Sequence, residues 1–272
     1  FAHGLGILRG RRLSGAQVAA LNVLQLALSR IIVTKDSGAS LARDVSHSRP
    51  HRVAFESDFD VKSGFDRSLR ILKDLVAAYD VGTPVAVSHG DARSMTSVEN
   101  EEIDMVLTSP PYLNAIDYMR GHRLALVWLG HKLADLRQIR SSSIGAERAA
   151  EKGVDTSLFD PIVERMCDAS ALSSKDLGMV RRYSVDLYCL MSETRRVLNR
   201  RGSAVFVVGN SCLKNQFVRN SNGVAAAAAM VGLRLTDEYE RELPANRRYL
   251  PMPTNRTIDL GKRMRSETIL TF

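Results

Sequence analysis

The chain has 272 residues, 44% of them hydrophobic, and a formal net charge of +8. That is enough for one large α/β domain or two small ones around a real apolar core, and the positive field attracts polyanions, of which nucleic acid is the commonest. Three scattered cysteines, Cys167, Cys189 and Cys212, make neither a disulfide framework nor a metal-ligand spacing and fit a reducing cytoplasm; no signal peptide or apolar run of membrane-spanning length is read. The first residue is Phe1 rather than methionine, which reads as a fragment of a longer protein.

Between Ser14 and Thr34 the residues Val18, Leu21, Leu24, Leu28, Ile31 and Ile32 recur at three- and four-residue steps, which predicts an amphipathic helix with Ser14 as its cap. Arg43 to Arg52 is polar and basic and reads as a loop that either faces solvent or touches phosphates. Phe65, Leu69, Leu72, Leu75, Val76 and Tyr79 predict a second helix, ending before Gly82-Thr-Pro84. Residues 1–80 thus read as an N-terminal helical segment and 81–272 as an α/β catalytic region.

Val85-Ala-Val-Ser88 has the character of a short buried strand and runs into His89-Gly-Asp-Ala-Arg93, with Asp91 in a Gly-Asp turn. Met105 to Leu107 have the branching of a parallel strand buried on both faces, and Pro110-Pro111 cannot continue a ladder because neither has an N–H to donate. The backbone must leave the sheet there. Ligands of open α/β sheets bind outside the carboxyl ends of strands, so Ser109 and Tyr112 are candidates for chemistry. Leu113 to Gly130 reads as a helix starting close to that site, with Asn114, Asp117, Tyr118 and His122 in its first turns.

From Arg140 to about Gly178 periodicity fades, and the spacing predicts an inserted loop at about 140–178. Tyr183 to Asn199 predicts a helix closed by Arg200-Arg-Gly202, followed by a strand from Ser203 to Gly209 that ends at Asn210. An alanine-rich helix covers Ala225 to Val231, and Leu233 to Leu243 and Ser266 to Phe272 read as strands. Between those strands Arg247, Arg248, Lys262, Arg263 and Arg265 concentrate positive charge suited to backbone phosphates.

The strand-borne Thr108-Ser-Pro-Pro-Tyr112, with Arg196-Val-Leu-Asn-Arg-Arg-Gly202 and Ala204-Val-Phe-Val-Val-Gly-Asn210 downstream, resembles the catalytic loop and following strand unit of the amino-methylating DNA methyltransferases, which modify cytosine N4 or adenine N6. The resemblance covers roughly residues 85–272. It implies a Rossmann-like, S-adenosylmethionine-dependent sheet and a double-stranded DNA partner. In its terms Ser109, Pro110, Pro111 and Tyr112 are catalytic, Asp91, Thr108 and Asn210 line the cofactor, and Asn114 with the five basic residues contacts DNA. Serine rather than aspartate before Pro-Pro favours cytosine N4, with adenine N6 as the alternative and a basic nucleic-acid-binding module that has lost its catalytic half as the reading from another class. The family's glycine-rich loop is missing: Phe1-Ala-His-Gly-Leu-Gly6 has two glycines but no strand before it, so the sheet is expected to be incomplete and the loop to lie upstream of Phe1 or on a partner chain.

Overall fold

The computed structural model describes residues 12–34, 38–43, 51–52, 55–78, 82–113, 118–146, 155–213, 216–244 and 266–272. The chain forms two compact units, residues 1–87 with 117–140, and residues 88–116 with 141–272. The division expected near residue 80 is therefore replaced by a discontinuous one. Its cause is that Leu124, Ala125 and Leu129 pack into the core of the first unit.

In the first unit, helix α1 (Gly15–Ile32) starts where the spacing predicts. Ser14 Oγ accepts from the Gln17 N–H at 3.4 Å while the Gln17 side chain accepts from the Ser14 N–H at 2.9 Å, so two otherwise orphaned donors are satisfied reciprocally. Leu21, Leu28, Ile31 and Ile32 bury against Phe65 and Leu72 of α2 (Val61–Ala78), joined by residues of α3 (Tyr118–Trp128). Contrary to the sequence expectation, α1 is by length and composition alone apolar enough to cross a membrane. Its buried stripe faces the core of this unit. In the basic stretch, β1 (Ala42–Arg43) pairs antiparallel with β2 (His51–Arg52). Asn114 and residues 115–117, placed at the start of a helix by sequence, lie outside the described residues, and the described helix begins at Tyr118. A further helix, α4 (Leu133–Ser142), buries Leu136.

The second unit is α/β. Strand β3 (Ile103–Thr108) runs parallel to β4 (Leu198–Gly209), with Met105 opposite Ser203 and Thr108 opposite Phe206. After the small hairpin of β5 (Ser211–Leu213) and β6 (Gln216–Val218), β7 (Asp237–Glu242) and β8 (Ser266–Thr271) pair antiparallel, and β8 also pairs with β4, giving a four-stranded sheet in the order β3-β4-β8-β7. Helices α5 (Asp160–Met166), α6 (Ser174–Val197) and α7 (Asn220–Met230) contribute Val163, Met166, Leu187, Met191 and Val224 to one core with Ala204, Phe206 and Val208 of β4. The Phe206 and Phe272 rings meet edge to face at 5.9 Å.

The stretch expected to be an inserted loop at about 140–178 is largely structural. It holds the end of α4, all of α5 and the first turn of α6, and Phe159, Ile162, Val163 and Met166 are core residues. A helix of seven residues that begins at Asp160-Pro161 is too short to display a 3.6-residue period, although proline suits its first turn.

On the face away from this core, the described side chains of β3 are exposed. Met105 is 62% and Leu107 70% exposed, so β3 is not buried on both faces as its composition predicts. Val85–Ser88 forms no strand, and Val87 is 92% exposed. Apolar residues give a segment strand character only when a neighbouring strand is available, and among the described residues none pairs with this segment or with the outer edge of β3.

Leu107→Lys is expected to change folding stability by less than about 0.5 kcal/mol while reducing self-association, whereas Phe206→Ala should cost about 3 to 5 kcal/mol. Urea midpoints and light scattering check both.

Candidate active site

The loop after β3 cannot be held by a ladder, since Pro110 and Pro111 have no N–H, so its carbonyls need other partners. The Tyr183 hydroxyl on α6 donates to the Pro111 carbonyl at 3.0 Å. Tyr183 is fully buried, and burial pushes its phenol far above the ordinary tyrosine range, which keeps it a proton donor. Pro110 is buried while Ser109 is exposed at the strand end.

Ser109 Oγ lies 3.1 Å from the Tyr112 hydroxyl, and that hydroxyl lies 3.4 Å from Glu267 Oε1. Arg241 closes the row, donating to Glu267 Oε2 from Nη2 at 2.8 Å and from Nε at 3.2 Å; these bonds hold the Arg241 guanidinium above its usual range. Two glycines make room. A Cβ on Gly209 would come within 2.6 Å of the Tyr112 ring, and Gly145 has φ +72° with its Cβ position 3.0 Å from the Tyr112 carbonyl oxygen.

Asp91 sits in a turn bound to Arg93, whose Nη2 meets Asp91 Oδ2 at 2.7 Å and whose backbone N–H meets Oδ1 at 2.9 Å. Hydrogen bonding to Arg93 lowers the Asp91 carboxyl. The same guanidinium reaches Asp186 Oδ1 of α6 at 2.6 Å and the Ser142 carbonyl at 2.7 Å. Burial pushes the Asp186 carboxyl up, against the pull of Arg93 and Arg182. Tyr183 and Asp186 are three residues apart and share a face of α6, so one helix anchors both the proline loop and the Asp91 turn. Further along, Glu193 accepts from the Met95 N–H at 2.6 Å and Arg196 donates to the Met95 and Val98 carbonyls at 2.8 and 2.9 Å.

Arg93→Ala leaves a buried carboxylate without its partner and should cost about 3 kcal/mol, with Asp186→Asn in the same chain recovering part of it. Denaturant titrations of the single and double variants measure this. Additive losses would show that the two side chains do not act as a pair.

The residues assigned to catalysis, Ser109 to Tyr112, directly follow Thr108, which still pairs with Phe206 in the ladder. Asn210, assigned to the cofactor, follows β4, and its Oδ1 accepts from the N–H and the hydroxyl of Ser221, both at 3.2 Å, so it holds the first turn of α7. Asp91, also assigned to the cofactor, has both carboxylate oxygens engaged by Arg93. Asn114, Arg247, Arg248, Lys262, Arg263 and Arg265 lie outside the described residues. Sequence reasoning missed Tyr183, Asp186, Arg241 and Glu267. The first two lie on the apolar face of a recognisable helix, a signal that could have found them; no local pattern marks the other two.

No family model matches the chain. Over 130 residues it is 27% identical to the Type II methyltransferase M.AvaI of Nostoc sp. (strain PCC 7120) and to that of Anabaena variabilis, a match covering 42% of this chain and 27% of each relative. The chain therefore spans about a quarter of the length of these relatives. Two crystal structures of a protein assigned as a DNA modification methylase, from Thermus thermophilus, are similar with a TM-score of 0.33 and 16% and 17% identity, covering 67% of this chain and 49% and 50% of theirs.

Proposed function

We propose that the chain carries the amine-binding part of a cytoplasmic DNA methyltransferase that modifies an exocyclic amine of a flipped base, with cytosine N4 as the target. The observation behind this reading is the Thr108 to Tyr112 loop at the carboxyl end of a strand with a parallel neighbour, its serine exposed and its second proline carbonyl fixed by a buried tyrosine. The similarity to Type II methyltransferases supports it.

The exocyclic amine of a base is a poor nucleophile because its lone pair is delocalised into the ring. Ser109 Oγ and the Pro110 carbonyl accept its two N–H groups and draw the nitrogen towards tetrahedral geometry. The fixed φ of proline limits the reorganisation needed as positive charge develops on nitrogen. Tyr112 offers a ring for stacking against the base, which must leave the duplex to reach the loop.

S-adenosylmethionine is the methyl donor that the resemblance implies. Among the described residues its fit is incomplete, since the Asp91 carboxylate is taken by Arg93 and no glycine-rich loop follows a strand. In this reading the glycine-rich loop belongs to a further segment or a partner chain.

In the intact protein, Ser109→Ala should leave fold and DNA affinity nearly unchanged and slow methyl transfer to double-stranded DNA by about tenfold to a thousandfold. Wild-type turnover in that variant refutes the mechanism. Mass analysis of digested DNA should give N4-methylcytosine, and N6-methyladenine would move the target to adenine. A wild-type protein that binds DNA but transfers nothing would leave the binding module as the function.

The basic residues Arg247, Arg248, Lys262, Arg263 and Arg265 are proposed to contact phosphates. Replacing two of them should weaken binding equally on all sequences and reduce the salt slope by about one per lost contact. Titrations at several salt concentrations test this, and an unchanged slope excludes those contacts.

A further inference from the structure

We propose that Glu267, paired with Arg241, fixes the direction of the hydrogen bonds through Tyr112 so that Ser109 presents lone pairs rather than its proton to the substrate amine. This positioning role rests on the amine-methylating reading of the loop.

The geometry comes from the sheet. Glu267 of β8 lies directly opposite Gly209 of β4 on one side and Arg241 of β7 on the other, so three adjacent strands place the three residues in one row. Gly209 gives the Tyr112 ring its seat, and Arg241 grips one carboxylate oxygen of Glu267 at 2.8 Å. The other oxygen lies 3.4 Å from the Tyr112 hydroxyl.

A carboxylate only accepts hydrogen bonds, whereas a phenol carries one proton. With that proton directed at Glu267, the 3.1 Å contact between Tyr112 and Ser109 forms only if the serine hydroxyl donates to the tyrosine oxygen. Both lone pairs of Ser109 Oγ are then available to accept from an amine N–H. Without the carboxylate, the Tyr112 proton can turn to Ser109 Oγ and compete with the amine for the same lone pair. An amide at position 267 goes further, because it can donate into the Tyr112 oxygen and reverse the row.

The test uses the intact protein with Glu267→Gln, Tyr112→Phe and the double variant, after thermal melts have shown that each is folded. Glu267→Gln is expected to lower the single-turnover rate about tenfold with the KM for DNA unchanged, and the double variant to be no slower than Tyr112→Phe alone. An unchanged rate in Glu267→Gln, or losses that multiply in the double variant, overturns the role. An independent measurement is the Raman doublet of Tyr112, isolated by subtracting the Tyr112→Phe spectrum. It should report a hydroxyl that donates in the wild type and that shifts towards accepting in Glu267→Gln; a doublet identical in the two proteins also overturns the role. If the wild type methylates no DNA, the reading of the loop fails, and the doublet still decides the direction of the row.

Discussion

The Tyr183 hydroxyl bonded to the Pro111 carbonyl at 3.0 Å is the contact on which the geometry of the site depends. Two prolines in succession deprive the loop of the donors that would tie it to a sheet, and a wholly buried tyrosine needs a polar partner of its own. Each group removes the unsatisfied polarity of the other. Because Tyr183 sits on a 24-residue helix whose inner face is core, the loop inherits the rigidity of that packing. Asp186 on the same helix face extends the anchorage through Arg93 to the turn that carries Asp91.

A second constraint is the exposure of β3. Phe206 and Val208 point into a helix-covered core, whereas Met105 and Leu107 on β3 stand exposed, and β3 is an edge among the described strands. Parallel strands are normally covered on both faces, and an apolar edge with unpaired backbone groups invites another strand. The loop therefore projects from the border of the described sheet, with β4 and β8 on one flank and no described strand on the other.

The row of Gly209, Glu267 and Arg241 shows how an antiparallel addition to a parallel pair can serve a site. Strand β8 contributes no residue to the loop itself, yet its ladder partner opposite Gly209 is the side chain that meets Tyr112. Register decides this, for a shift of one residue would turn Glu267 to the opposite face.

Elements whose causes are local can be read directly from the order of residues. Ser14 and Gln17 cap α1 within three residues of each other, Pro110-Pro111 ends β3 wherever that strand lies, and the three- and four-residue spacing of α2 and the apolar run of β4 need no distant partner to be recognised. The Ser109 loop was legible for the same reason. The rest depends on packing and pairing between distant segments. Val85–Ser88 has strand composition but no described strand beside it, the 140–178 stretch hides core residues in helical turns too short to show a period, and Asn210 serves to hold α7. Glu267 meets Tyr112 across 155 positions of chain because strand order and register bring them together, and contacts of that kind leave no trace in local spacing.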